Sequence, residues 1–267
     1  IFRHSALENK FTYEDFTDDL WQIDTLVSNS FSYNEKSYVA YLSFNHQISR
    51  ELSYSASLNG TCVQTLGISE TTGKETSKDY QVVRPYFLLR YKPHDDHFFT
   101  LHYYKSFSKP NFSYLNPFRK YESTVYYVQG NPDLSYSTMH NVKLAYRYRY
   151  WLNLSVSYAH ALNTILQVPQ LNADNAIIGY TYGNFGKSDD LKFTLNMSKR
   201  LLDKRLNLSL FGEAEYMLYN SGDTLDYRKS LWHYMGDFSF SYLLVKKYDL
   251  TFGGYALYSS SRLDGYG

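Results

Sequence analysis

The chain has 267 residues, among them 30 Tyr, 17 Phe and 3 Trp, with 43% hydrophobic and 20% charged residues. So many rings with so little charge exclude a disordered segment. The balance of 27 Lys plus Arg against 26 Asp plus Glu gives no footprint for nucleic acid or for a polybasic membrane arm.

Ile1-Phe2-Arg3-His4 has no basic run, apolar core or cleavage motif, so the start is not a signal peptide and reads as that of a processed product or fragment. Period-2 alternation then recurs along the chain, and helical spacing is nearly absent. Strands are expected at about 9–16, 35–47, 52–66, 80–91, 97–107, 138–149, 151–164, 184–199, 205–219, 228–243 and 248–260. Within 151–164, Leu152, Leu154, Val156 and Tyr158 alternate with Asn153, Ser155 and Ser157. Leu191, Phe193, Leu195 and Met197 alternate in the same way with Lys192, Thr194 and Asn196, and Phe238 and Phe240 with Asp237 and Ser239. Each segment therefore has one apolar and one polar face.

Alternation alone also fits a soluble sandwich. Three features favour a membrane barrel instead: long strands, a polar face of Ser, Asn, Lys and Arg suited to a wet lumen, and rings near strand ends (Phe98, Phe99, Tyr148, Trp151, Trp232) where an aromatic girdle sits. The longest apolar runs, such as 86–89, are far too short for a spanning helix, which takes about 18 residues or more. The connections alternate long (17–34, 67–79, 108–137, 165–183, 220–227) and short (48–51, 92–96, 150, 200–204, 244–247), the pattern of extracellular loops and periplasmic turns. On that parity the run 176–182 extends a hairpin above the membrane. The fold class is all-β, an antiparallel up-and-down transmembrane β-barrel of about 11 strands. An odd count is expected to leave the barrel incomplete, because unpaired edges cannot face lipid.

Few residues suggest chemistry. Cys62 has no Cys or His partner and reads as a small buried or lipid-facing residue. His94-Asp95-Asp96-His97 has metal-like composition but follows Pro93 in a short turn, where solvated Asp and His are ordinary. Glu213 and Glu215 share a strand face, and their spacing of about 6.5–7 Å would suit a glycosidase pair; hydration and ion pairing with lumen Lys or Arg is the reading adopted. No catalytic, metal or cofactor-binding residue is assigned, no cofactor is expected, and the chain is not read as an enzyme. N-x-S/T triplets at Asn59, Asn111, Asn153, Asn196 and Asn207 count only as polar lumen or loop residues. In 109–137, Pro110, Pro117 and Pro132 remove ladder donors, so the prolines are expected to prevent strand pairing there. Six rings (Phe112, Tyr114, Phe118, Tyr121, Tyr126, Tyr127) imply a loop that packs over or into the barrel mouth. Leu115, Phe118 and several tyrosines should be buried, with Asn116 and Asn131 bracing the turns before Pro117 and Pro132.

The same segment, Ser108-Lys109-Pro110 through Leu115-Asn116-Pro117-Phe118, resembles the S-x-R/K-P-x-x-x-x-L-N-P-F stretch of the outer-membrane β-barrel family of Bacteroidetes TonB-dependent receptors. Gly130-Asn131-Pro132-Asp133-Leu134 is similar to that family's G-N-P-x-L element. The resemblance implies the barrel portion of a receptor taking up an unidentified extracellular ligand, placed in the outer membrane. It also implies outer-membrane lipid and a TonB-type energising partner as contacts, the latter through a plug that is not in this chain. Residues 1–267 would be a single barrel segment, with plug and terminal strands lying elsewhere. Tyr114, Leu115, Asn116, Pro117, Phe118, Gly130, Asn131 and Pro132 are the candidate lid or ligand loop. The alternative is a smaller complete outer-membrane barrel acting as a passive channel or outer-membrane enzyme.

Overall fold

The computed structural model describes residues 1–12, 14–17, 20–23, 28–70, 73–123, 126–171, 177–220 and 228–261. Eleven long strands form one continuous antiparallel path: β1 (Phe2–Phe11), β4 (Asn29–Gln47), β5 (Leu52–Ser69), β6 (Lys74–His94), β7 (His97–Ser108), β10 (Ser137–Tyr148), β11 (Leu152–Leu171), β12 (Ile177–Leu201), β13 (Leu206–Asn220), β14 (Arg228–Val245) and β15 (Leu250–Ser259). Two small hairpins interrupt the sequence, β2 (Glu14–Thr17) with β3 (Leu20–Ile23), and β8 (Arg119–Ser123) with β9 (Tyr126–Gln129). One short helix, α1 (Phe112–Leu115), precedes β8. The strand count matches the alternation, and β1 and β15 lie at open edges among the described residues.

Three expectations are corrected. The first strand is Phe2–Phe11 rather than 9–16, with Phe2 opposite Tyr38; Glu14–Thr17 pairs only with Leu20–Ile23. The spans 67–79 and 165–183 are largely strand, because β5 runs to Ser69, β6 starts at Lys74, β11 runs to Leu171 and β12 starts at Ile177. Residues 172–176 and 221–227, in two of the expected long loops, lie outside the described residues. Pro169 sits in β11 opposite Tyr180, and the ladder continues past it. Finally, the prolines of 109–137 do not prevent pairing: the proline-free run between Pro117 and Pro132 forms β8 and β9, and β9 adds a parallel contact to Gly179–Thr181.

The sheet curls around the 109–137 segment. Between β4 and β12 lie six strand spacings, about 29 Å if flat. Yet Phe112 packs on Phe31 and Tyr33 of β4, while Tyr114 stacks on Tyr182 of β12 at 4.1 Å. Neighbouring side chains can bridge that chord only if the face bearing Phe31, Tyr33 and Tyr182 is the concave, lumen side. Register then assigns every other position. Across β7, β10, β11, β12, β13 and β14 the outward rows are Tyr103-Val142-Tyr158-Leu191-Tyr216-Trp232 and, two residues lower, Leu101-Leu144-Val156-Phe193-Ala214-Tyr234. An inward row reads His102-Lys143-Ser157-Lys192-Glu215-His233. Leu154, Val156, Leu195 and Phe240 thus face out and Asn153, Ser155, Asn196 and Ser239 face in, as the alternation requires. Cys62, opposite Tyr38, is exposed on the outer face.

The outward band has the height of a membrane. Nine residue steps from Trp151 to His160 make about 30 Å along the strand, or about 23 Å along the bilayer normal at a tilt near 40°, against an apolar band of about 25 Å. At the short-turn end, Arg149, Leu202, Asp203, Lys204 and Asp249 adopt left-handed backbone, which lets two to four residues reverse the chain. Among the described residues no helix is long and apolar enough to cross a membrane.

Candidate functional site

The candidate loop is a folded unit held against the inner wall above the membrane band. Asn111 caps α1, its Oδ1 accepting from Ser113 N at 3.2 Å. Asn116 Oδ1 accepts from Phe118 N at 3.1 Å, and Asn131 Oδ1 from Asp133 N at 2.8 Å, so both Asn-Pro turns are braced by side-chain to backbone bonds. The two motif stretches meet: Asn131 N donates to Tyr114 O at 2.6 Å, and a Cβ on Gly130 would lie 2.1 Å from Asn116 O. Only glycine fits there. Gly179 is under the same constraint, since a Cβ would lie 2.4 Å from Tyr127 O where β9 joins β12.

Leu115 and Leu134 form a buried cluster with Phe31 and Tyr33, and Phe112, Tyr114, Ile165 and Tyr182 pack around it. Burying each leucine side chain stabilises the docked loop by about 1.5–3 kcal/mol. Polar ties fix its position: Lys78 Nζ donates to Leu134 O at 3.0 Å, Asn131 Nδ2 to Tyr182 O at 2.9 Å, and Asn184 bridges Ser135 N (2.6 Å) and Ser135 O (2.9 Å). Lys109 is ion-paired with Glu35. These groups stand outside the membrane-spanning segments, where burial depresses the Lys78 ammonium pKa and burial, then the nearby Glu35 carboxylate, raises the Tyr33 and Tyr80 phenols.

Among the eight candidate residues, Leu115, Asn116 and Gly130 are buried, and Tyr114, Pro117, Phe118, Asn131 and Pro132 are half-buried. Phe118 is therefore less covered than the sequence suggested, and Tyr121 is 37% exposed, whereas Tyr127 is buried. A cavity of about 370 Å³ lies between the loop and the wall, lined by Ser113, Phe118, Lys120, Val128, Gln167 and Tyr182. The strand partners Tyr33, Lys78, Tyr182 and Asn184 were not singled out from sequence. Tyr33, Lys78 and Tyr182 sit in strand that had been read as loop, and Asn184 at the first residue of the expected strand 184–199.

Deeper on the inner wall, Lys192 Nζ lies 3.1 Å from Glu213 Oε1 and 3.0 Å from Glu215 Oε1. One ammonium holds both carboxylates, the ion-pairing role expected of them. A cavity of about 700 Å³ opens beside them, lined also by Arg84, Tyr86, His102 and Asn141. In the short turn, Asp95 pairs with Lys92 and Asp96 with Arg149, and both carboxyls are held below the usual carboxylate range, each chiefly by the hydrogen bond from its partner. Among the described residues no three His, Cys, Asp or Glu converge as a metal site.

Solved structures share this architecture. The alcaligin outer membrane receptor FauA from Bordetella pertussis matches with TM-score 0.52 and 14% identity over 99% of this chain and 47% of that one. The copper transporter OprC matches with TM-score 0.54 and 10% identity over 98% and 46%. At such identities the likeness is one of fold, and the chain spans about half the length of each. No curated protein sequence matches it. The model of the outer membrane protein beta-barrel family matches residues 2–267. Eleven strands with a membrane-high apolar band, a wet inner wall and that match make this chain a member of the outer membrane protein β-barrel family, located in the outer membrane.

Proposed function

We propose that residues 1–267 are one barrel segment of a TonB-dependent receptor that takes up an extracellular ligand. The observation that carries this reading is the 109–137 segment, which folds inward against the lumen wall instead of projecting into solvent. Two structures of similar fold, an alcaligin receptor and a copper transporter, support it. In this reading Leu115, Asn116, Gly130, Asn131 and Pro132 are the frame of the loop. Tyr114, Pro117 and Phe118 present its ligand-facing side, and Phe118 lines the 370 Å³ cavity with Lys120 and Tyr182. Energy enters from a periplasmic TonB-type protein acting on a plug domain of the full-length protein. No residue of this chain is asked to perform a reaction, because the paired carboxylates Glu213 and Glu215 are engaged by Lys192.

The test uses the full-length gene product in detergent and the purified periplasmic domain of a TonB-type protein, with binding read by surface plasmon resonance. Saturable binding is expected. No binding over the concentration range that saturates a known TonB-dependent receptor would overturn the proposal and leave a passive barrel.

A further inference from the structure

The larger recess of the inner wall, about 700 Å³, has its charges sorted by strand. β11 contributes only Ser157 and Ala159 to its lining, so small side chains make the floor. Tyr104, Asn141, Ala159 and Asp190 are consecutive register partners on β7, β10, β11 and β12. His102, Lys143, Ser157 and Lys192 form the row two residues lower. Arg84 stands two residues above Tyr86, the partner of Tyr104. The floor thus divides a donor wall, Arg84, His102, Asn141 and Lys143, from an acid wall that carries Asp190 and Glu215. Lys192, the cation on the acid side, is held between Glu213 and Glu215.

The donor wall is fixed in place before anything binds. Arg84 Nη2 donates to Thr61 Oγ1 at 3.1 Å, and its guanidinium carbon lies 5.2 Å from the Phe107 ring centre. His102 is flanked by Tyr86 and Tyr104, with ring centres 4.9 Å away on each side. Yet Arg84 Nε, His102 Nε2 and Asn141 Nδ2 are buried with no hydrogen-bond partner among the described residues. Buried polar atoms are nearly always paired, and an unmade bond costs more than a made one contributes. Three such nitrogens beside the Lys143 ammonium call for a negatively charged acceptor, and a carboxylate fits.

The acid wall sets the other end of the ligand. Two strand spacings, about 10 Å, separate Asn141 and Lys143 from Asp190 and Lys192. A linear peptide spans about 3.3–3.6 Å per residue, so about three residues place an ammonium and a carboxylate that far apart. The volume suits a ligand of that size. Six residues above Ala159 on the same strand, Ile165 packs against the folded loop, so the recess lies beneath the 109–137 segment.

We propose that this recess binds a short linear peptide of about two to four residues, which is the ligand taken up; the inference rests on the transport reading above. Arg84, His102, Asn141 and Lys143 hold its terminal carboxylate, Asp190 faces its ammonium, and the Tyr86 and Tyr104 rings flank its side chains. The sorted charges select a zwitterion over a simple anion, which would meet the acid wall. They also select it over a neutral glycan, which would leave the fixed guanidinium and Lys143 without a counter-charge.

The test is isothermal titration calorimetry of the full-length protein in detergent with the peptide Ala-Tyr-Ala, its C-terminal amide and its N-acetyl form. Ala-Tyr-Ala should bind saturably, and removing either terminal charge should weaken binding about tenfold or more. Lys143→Met should weaken binding of Ala-Tyr-Ala and leave that of the amide unchanged. Asp190→Asn should do the same for Ala-Tyr-Ala against the N-acetyl form. Equal affinity of the wild type for all three probes would overturn the proposal. So would the absence of Ala-Tyr-Ala binding by protein that still binds the TonB-type domain, a result that leaves the transport reading standing. Peptide binding by protein that does not engage that domain would refute the transport reading alone.

Discussion

Replacing Val156 by Arg, and separately its neighbour Ser155, separates the two faces of the sheet. Val156 faces out between Leu144 of β10 and Phe193 of β12. It lies five residue steps above Trp151 and four below His160, about 13 and 10 Å along the normal, so it sits near the bilayer midplane. An Arg there is too deep to place its guanidinium in either interface without distorting the band, and the cost should be about 2–4 kcal/mol. That is about a 30- to 900-fold shift in the folding equilibrium. Ser155 faces in, opposite Thr194, whose own partner is Glu213. An Arg there enters a wet lumen near a carboxylate and should cost under about 1 kcal/mol. Equilibrium urea unfolding of the full-length protein in phospholipid vesicles, followed by Trp fluorescence, gives both numbers. Equal destabilisation by the two variants, or a larger effect at Ser155, would refute the assignment of faces.

Gly130→Ala should undock the loop, because its methyl carbon would collide with Asn116 O; limited proteolysis should then cut within 109–137 while the strand core survives, and unchanged protection would show that the loop is held otherwise. Lys192→Met leaves Glu213 and Glu215 facing each other, with side chains 14% and 5% exposed; it should cost about 1–3 kcal/mol, less than a dry buried pair, and adding Glu213→Gln and Glu215→Gln should restore most of it in the same unfolding assay. Asp96 has a folded pKa depressed below its unfolded value by Arg149, so its contribution is present above about pH 4 and lost as pH falls through the folded pKa. Arg149→Ala should therefore flatten the stability profile below pH 4 and leave its shape at pH 7–9 unchanged, measured by thermal unfolding across pH.

The membrane part of the fold was legible because a sheet with lipid on one side and water on the other needs strict alternation. Leu154, Val156, Phe193 and Leu195 obey it residue by residue. Above the membrane that constraint lapses, and so did the reading. The extensions around Ile68, Gln167 and Tyr182 mix polar and aromatic residues on both faces, since water bathes one side and the folded loop covers the other. At the edge, β1 has a single partner and weak patterning, so its position was displaced by several residues. The candidate loop was visible from its prolines and rings. Its anchors were not, because Lys78, Tyr182 and Asn184 reach it from strands far away in sequence. The Asx bracing at Asn116 and Asn131 was readable because it is local.

The most direct test of the transport reading is the conductance of the full-length protein in a planar lipid bilayer with potassium chloride on both sides. A receptor whose lumen is closed by a plug and narrowed by the inward 109–137 fold should show no steady open current at moderate voltage, and deleting 111–135 alone should not open it. A stable, ohmic, porin-like conductance from the intact protein would contradict the account and identify a passive channel.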